Sequence, residues 1–147
     1  MTLVKADFPA DRVHAPLLMG LLFRQVRDDF AAEDWGGLRQ SHFRVLSMVS
    51  DQGVSITELG ERVGMTKQGC GQFVTQLVES GHLRVVAQPD DRRVRVVRRT
   101  PKADRVLAAV RDRNLAIEAA WAERVGPDRY AVFRGVLEEL ALGALPD

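Results

Sequence analysis

Between Thr66 and Gln76 the sequence sets hydroxyls, amides and one ammonium at a spacing that gathers them on one side of a helix. These are Thr66, Lys67, Gln68, Gln72, Thr75 and Gln76, with Gly71 among them. Side-chain amides can pair with adenine edges in a major groove, and no carboxylate enters this face before Glu79. An ordinary solvated face would be just as polar. What favours the sharper reading is the setting, between a capped helix and a basic hairpin. That hairpin supplies the second group of candidates, Arg92, Arg93 and Arg95. Residues 84–105 hold eight Lys/Arg against three Asp, a balance of +5 on a chain whose total is +1. Cations concentrated in this way suit phosphate contact, and an Arg at a hairpin tip can enter an A·T-rich minor groove. Asp91 is read as orienting a neighbouring Arg.

The elements that must position these groups are legible around them. Ser55-Ile56-Thr57-Glu58 is a capping box, and Ile56, Leu59 and Val63 follow at helical spacing. Gly64 fits a C-terminal glycine, and Thr66 fits the N-cap of the next helix. On that helix Cys70, Phe73, Val74, Leu77 and Val78 recur in steps of three and four and should face the core. A short helix joined to a second through a glycine-bearing turn is a DNA-reading device. Gly81 fits a further helix end. Two β-branched segments, 82–87 and 94–98, then flank Gln88-Pro89-Asp90-Asp91-Arg92-Arg93, whose Pro and Asp residues favour a turn. A hairpin placed there makes the device a winged helix. Gly69 and Gly71 each weaken a helix interior by about 1 kcal/mol relative to Ala. Either their bare backbone approaches DNA, or they pack against the preceding helix as Gly60 would; the residues leave both readings open.

Gly64-Met65-Thr66-Lys67-Gln68 with Gly71-Gln72-Phe73-Val74 resembles the recognition helix of one branch of the MarR family of bacterial transcriptional regulators. Pro89-Asp90-Asp91-Arg92-Arg93 is similar to that family's wing, whose Asp-x-Arg element falls on Asp91 and Arg93. The chain departs from the pattern at Gly69 and Cys70, where Ala and Met are usual, and at Arg99-Thr100-Pro101-Lys102-Ala103 after the wing. The resemblance implies a mainly α fold with a small β-wing, a winged helix-turn-helix with N- and C-terminal dimerisation helices. It implies an arm and dimerisation helix over 1–37, a DNA-binding domain over 38–99 and dimerisation helices over 100–147. It also implies a homodimer on double-stranded, pseudo-palindromic DNA, more often a repressor, released by a small aromatic ligand. Phe23, His42, Phe43 and Trp121 would line such a ligand's pocket, with plain core packing the favoured reading of each. Some relatives sense oxidants through cysteine, but Cys70 lies on the core side of its helix, where a thiol is normally inert.

The rest of the chain agrees. Its 147 residues amount to one domain, or one domain with an oligomerisation arm. Residues 1–12 show no period and read as an arm or loose leader. From Val13 to Ala32 the pattern is helical, with Leu17, Leu18, Leu21, Leu22, Val26 and Phe30 in one broad stripe and Met19 and Phe23 outside it. A helix so apolar needs cover from several sides, and a second subunit is the expected source. A helix is expected at about 39–50, then one opened by Thr100-Pro101 and running to Val125. Its stripe is Leu107, Val110, Asn114, Ile117 and Trp121. Pro127 starts a last helix with Tyr130, Phe133, Leu137 and Leu140 on one side.

No run of about 18 apolar residues suggests a membrane span, and no leader is visible, so the expected location is the cytoplasm. One cysteine and three scattered histidines make metal coordination improbable. With no phosphate loop and no nucleophile motif, neither a cofactor nor enzymatic activity is expected. The competing reading is a winged helix that binds another protein without sequence-specific DNA binding. It would favour acidic or apolar residues where Lys67, Gln68 and Gln72 stand.

Overall fold

Five helix starts in the computed structural model, which describes residues 13–143, reflect local chemistry. Proline in the first turn opens α1 (Ala15–Ala31), α5 (Pro101–Val125) and α6 (Pro127–Leu142), where the missing N–H removes no helix bond. Side-chain caps open α3 (Ile56–Val63) and α4 (Lys67–Glu79), from Ser55 and Thr66 respectively. Helix α2 (Gln40–Ser47) precedes them. Strands β1 (Leu83–Ala87) and β2 (Arg95–Arg99) pair antiparallel between α4 and α5, with Leu83 opposite Arg99 and Ala87 opposite Arg95. Among the described residues, six helices and one hairpin make the fold mainly α with a β-wing. Residues 1–12, read above as an arm, lie outside the described residues.

The chain divides into two compact units, Met1–Gln40 and Ser41–Asp147. In the first, Phe30 lies in the last turn of α1, and its carbonyl accepts the Trp35 indole N–H at 2.8 Å while the two rings stack 5.5 Å apart. Gly36 and Gly37, at φ 63° and 83°, turn the chain there, a backbone conformation that favours glycine. Phe30 is buried and Leu21, Leu22 and Val26 are half-buried. Leu17, Leu18, Met19 and Phe23 are exposed.

The second unit is built on Val45, Leu46, Val49, Val54, Leu59, Val63, Cys70, Leu77, Leu83 and Val97, all fully buried. Burying one such side chain contributes about 1.5–3 kcal/mol. The exposed Arg62–Glu58 pair at 2.7 Å contributes roughly 0.3–0.5 kcal/mol, so packing holds the head together. Helices α3 and α4 approach closely at Gly60, where an added Cβ would stand 3.2 Å from the Met65 carbonyl oxygen and 3.5 Å from Cys70 Cβ. Val54 and Val97 exchange both backbone bonds, at 3.1 and 2.8 Å, and so tie the approach to α3 onto the hairpin.

Several local expectations need correction. The capping box at Ser55 is half made: Ser55 Oγ accepts the Glu58 amide at 3.2 Å, but the Glu58 carboxylate turns to Arg62. Helix α2 stops at Ser47 because the Met48 and Val49 amides reach back three residues, to Val45 and Leu46, and tighten the last turn. Val78 is exposed, and Phe73 is only half-buried. The second strand starts at Arg95, because Val94 belongs to the tip.

Beyond the hairpin, Thr100 Oγ1 donates to the Gly81 carbonyl at 2.6 Å and accepts the Ala103 amide, so α5 starts against the end of α4. The far end of α5 meets α6 through Glu118. Its Oε1 accepts from Tyr130 Oη at 2.5 Å and from Arg134 Nη1 at 2.6 Å, with Trp121, Tyr130 and Phe133 in tilted succession beside it.

Candidate nucleic-acid interface

The turn between α3 and α4 is fixed by backbone chemistry. Gly64 caps α3 at φ 76°, a left-handed conformation. Two residues later Thr66 Oγ1 accepts the Gly69 amide at 3.0 Å. That bond uses a lone pair of Thr66 and leaves its hydroxyl hydrogen to donate outward. The face beyond is open: Lys67, Gln68, Gln72, Thr75 and Gln76 are exposed and Gly71 is half-buried. The opposite side of α4 buries Cys70, Val74 and Leu77.

The structure separates the two glycines. A Cβ at Gly69 would stand 3.1 Å from Thr66 Oγ1, so this position serves the cap. A Cβ at Gly71 would meet nothing within 4 Å, and its φ is not positive. Among the described residues neither packing nor backbone conformation requires glycine at 71.

Two polar groups on α4 have further partners within the fold. Thr75 Oγ1 donates to the Gly71 carbonyl at 2.9 Å. Gln76 Oε1 lies 3.1 Å from His42 Nε2, and the His42 ring meets Phe73 edge-on with centroids 5.3 Å apart. Sequence spacing does not announce this pairing, because His42 and Gln76 stand 34 residues apart.

The wing tip is a polar turn. The Gln88 amide donates to the Val94 carbonyl at 2.8 Å, and the Val94 amide to the Asp91 carbonyl at 3.0 Å. Asp91 Oδ1 accepts the Arg93 amide at 3.0 Å, so this carboxylate holds Arg93 by its backbone rather than its guanidinium. Arg92, Arg93 and Arg95 are exposed. Among the described residues neither they nor Lys67 form an ion pair.

The rest of the basic segment is divided differently. Arg98 donates to the Asp51 carbonyl, Arg99 is enclosed by Asp51, Asp104 and the Val49 carbonyl, and Lys102 donates to the Ser80 carbonyl. These three cations brace the base of the wing, so the balance of +5 overstates the charge available at its tip.

The four residues considered for a ligand pocket have dissimilar settings. Phe23, in the first unit, is exposed beneath the Arg27 guanidinium, 5.6 Å from its centroid. His42 and Phe43 are buried in the second unit, and Trp121 is half-buried, 6.5 Å from Tyr130. Cys70 is fully buried and desolvation pushes its thiol pKa up, the setting of an unreactive sulfur. Among the described residues no three His, Cys, Asp or Glu side chains form a group able to hold a metal, and no helix is long and apolar enough to cross a membrane.

Residues 37–94 match the model of the MarR family. An uncharacterised protein of Mycobacterium tuberculosis is 29% identical over 123 residues, which cover 84% of each chain. Among solved structures the fold is similar to that of MarR, with a TM-score of 0.74 and 18% identity over 91% of this chain and 92% of that one. It is also similar to the PcaV transcriptional regulator of Streptomyces coelicolor in complex with its natural ligand. There the TM-score is 0.67, with 23% identity over 99% of this chain and 100% of that one.

Proposed function

We propose, from the match of residues 37–94 to the MarR family model, that the chain is a homodimeric transcription regulator of that family that binds a pseudo-palindromic operator. One observation carries the reading most. From Lys67 to Gln76 helix α4 presents an exposed face free of carboxylates, in the same compact unit as a wing tip whose arginines form no ion pair among the described residues. The two α4 helices of a dimer would enter successive major grooves about 34 Å apart. Lys67, Gln68, Gln72, Thr75 and Gln76 would face base edges, Gly71 would admit the duplex closely, and Thr66 would donate to phosphate. Arg92, Arg93 and Arg95 would contact the flanking backbone and minor groove. Residues 1–37 and 100–147 would supply the dimer contacts around a head spanning 38–99.

The regulator acts as a repressor, and a small aromatic ligand releases it. The PcaV regulator, solved in complex with its natural ligand, supports ligand binding by analogy of fold. Such a ligand acts only by preferring the dimer spacing that misplaces the heads, since differential affinity alone shifts an equilibrium. Within the second unit His42, Phe43 and Trp121 remain the proposed lining.

A mobility-shift assay with the DNA upstream of the protein's own coding region tests this reading. Retardation that resists nonspecific competitor is expected. Binding no tighter than to random duplex, together with capture of a protein partner, would favour the protein-binding alternative instead.

A further inference from the structure

The contact between His42 and Gln76 bears on which base Gln76 can read, a step that rests on the DNA-reading proposal above. A side-chain amide is two-faced: its oxygen accepts and its nitrogen donates. Adenine engages both, through N6 and N7, whereas guanine offers two acceptors, O6 and N7. Here the oxygen of Gln76 is already engaged, 3.1 Å from His42 Nε2. A carbonyl oxygen can only accept, so the ring nitrogen carries the hydrogen. The ring itself is held: His42 is buried on α2 and lies edge-on against Phe73. The Gln76 amide nitrogen has no partner among the described residues.

We propose that His42 is a positioning residue that fixes the polarity of Gln76, turning its NH2 outward so that the recognition helix favours guanine, which offers two acceptors, over adenine, which offers only N7 to a donor. Thr75 beside it is set the opposite way. Its hydroxyl hydrogen is committed to the Gly71 carbonyl, so it offers lone pairs to a base donor. Adjacent side chains thus present a donor and an acceptor whose senses are chosen by the fold before DNA arrives.

Selection of bound fragments from a randomised duplex library tests this, using the full chain and the variants Gln76→Ala, His42→Phe and Gln76→Glu. Wild type should prefer guanine over adenine at one base pair of each half-site, and Gln76→Ala should flatten that position alone. His42→Phe keeps an aromatic ring against Phe73 but frees the amide, so adenine should gain there by roughly fivefold, the worth of about one hydrogen bond. Gln76→Glu, an exposed substitution that does not threaten folding, presents an acceptor outward and should shift the preference to cytosine or adenine. A role for His42 confined to packing would leave the base preference unmoved. If wild type already favours adenine, or Gln76→Ala or Gln76→Glu changes no position, the proposal falls while the DNA-reading function stands. If wild type enriches no sequence, both fall.

Discussion

Arg99 Nη2 lies 2.5 Å from Asp51 Oδ1, joining the second wing strand to the loop that precedes α3. The same guanidinium reaches Asp104 on α5 at 2.8 Å and the Val49 carbonyl at 2.5 Å. Its side chain is 21% exposed, so water shields these bonds only partly. Arg99→Leu is expected to lower unfolding free energy by about 1–3 kcal/mol in urea melts. Arg99→Lys should recover only part of that, since an ammonium cannot fork between partners. Stability equal to wild type in Arg99→Leu would show that the wing base is held by packing alone.

The two helix glycines should respond in opposite directions to alanine. Gly71→Ala adds a methyl group to open space and removes a helix-weakening residue, for a gain of up to about 1 kcal/mol. Gly69→Ala presses on the Thr66 cap and should gain less or lose. If glycine at 71 serves the approach of DNA, Gly71→Ala is more stable in denaturant yet binds operator more weakly. A variant both more stable and equally tight would remove Gly71 from the interface.

Stability should fall at both pH extremes for identifiable reasons. Burial, then the bond to Glu118 and its charge, push the Tyr130 hydroxyl up to about 12 from its ordinary 10.0, with Arg134 opposing. A folded pKa above the unfolded one means stability fully present below pH 10 and lost as pH climbs toward 12. His82 is shifted the other way, lowered by burial first and then by Lys102 and His42. On acidification the unfolded chain takes up that proton first, so stability declines as pH falls below about 6.5. Thermal melts across pH should show Tyr130→Phe flattening the alkaline limb and His82→Gln the acid one. Limbs unchanged from wild type would contradict these assignments.

Helix α6 leaves Val132, Phe133, Val136, Leu137 and Leu140 exposed along one side, with Leu140 80% accessible. A stripe of that extent on a surface helix is typical of an interface. Leu140→Glu is expected to shift sedimentation from dimer toward monomer and to weaken operator binding in parallel. A wild-type chain that sediments as a monomer at micromolar concentration would refute the dimer.

How much the sequence revealed depended on the range of the interaction. The Thr66 cap, the Gly64 helix end and the Asp91 turn each involve residues no more than five apart, and all were legible. The bridge from Val54 to Val97, the Arg99 cluster and the His42–Gln76 contact join distant residues, and no local pattern marks them. Charge counting misled for the same reason. Arg92 and Arg99 weigh equally in a sum, yet among the described residues only the first lacks an ion-pair partner. Glu58 fits a capping box by spacing, but Arg62 one turn on competes successfully for its carboxylate.

The central claim is that α4 and the wing tip hold one duplex together, and its most direct test is affinity for a selected operator fragment measured across salt concentration. Binding by wild type should fall linearly on a log–log plot, as counterion release requires. Arg93→Ala should weaken binding at every salt and make the slope shallower by about one unit, the share of a single phosphate. Identical affinity and slope for Arg93→Ala and wild type would contradict the wing's place on the DNA, and the absence of any salt-dependent binding would contradict the function itself.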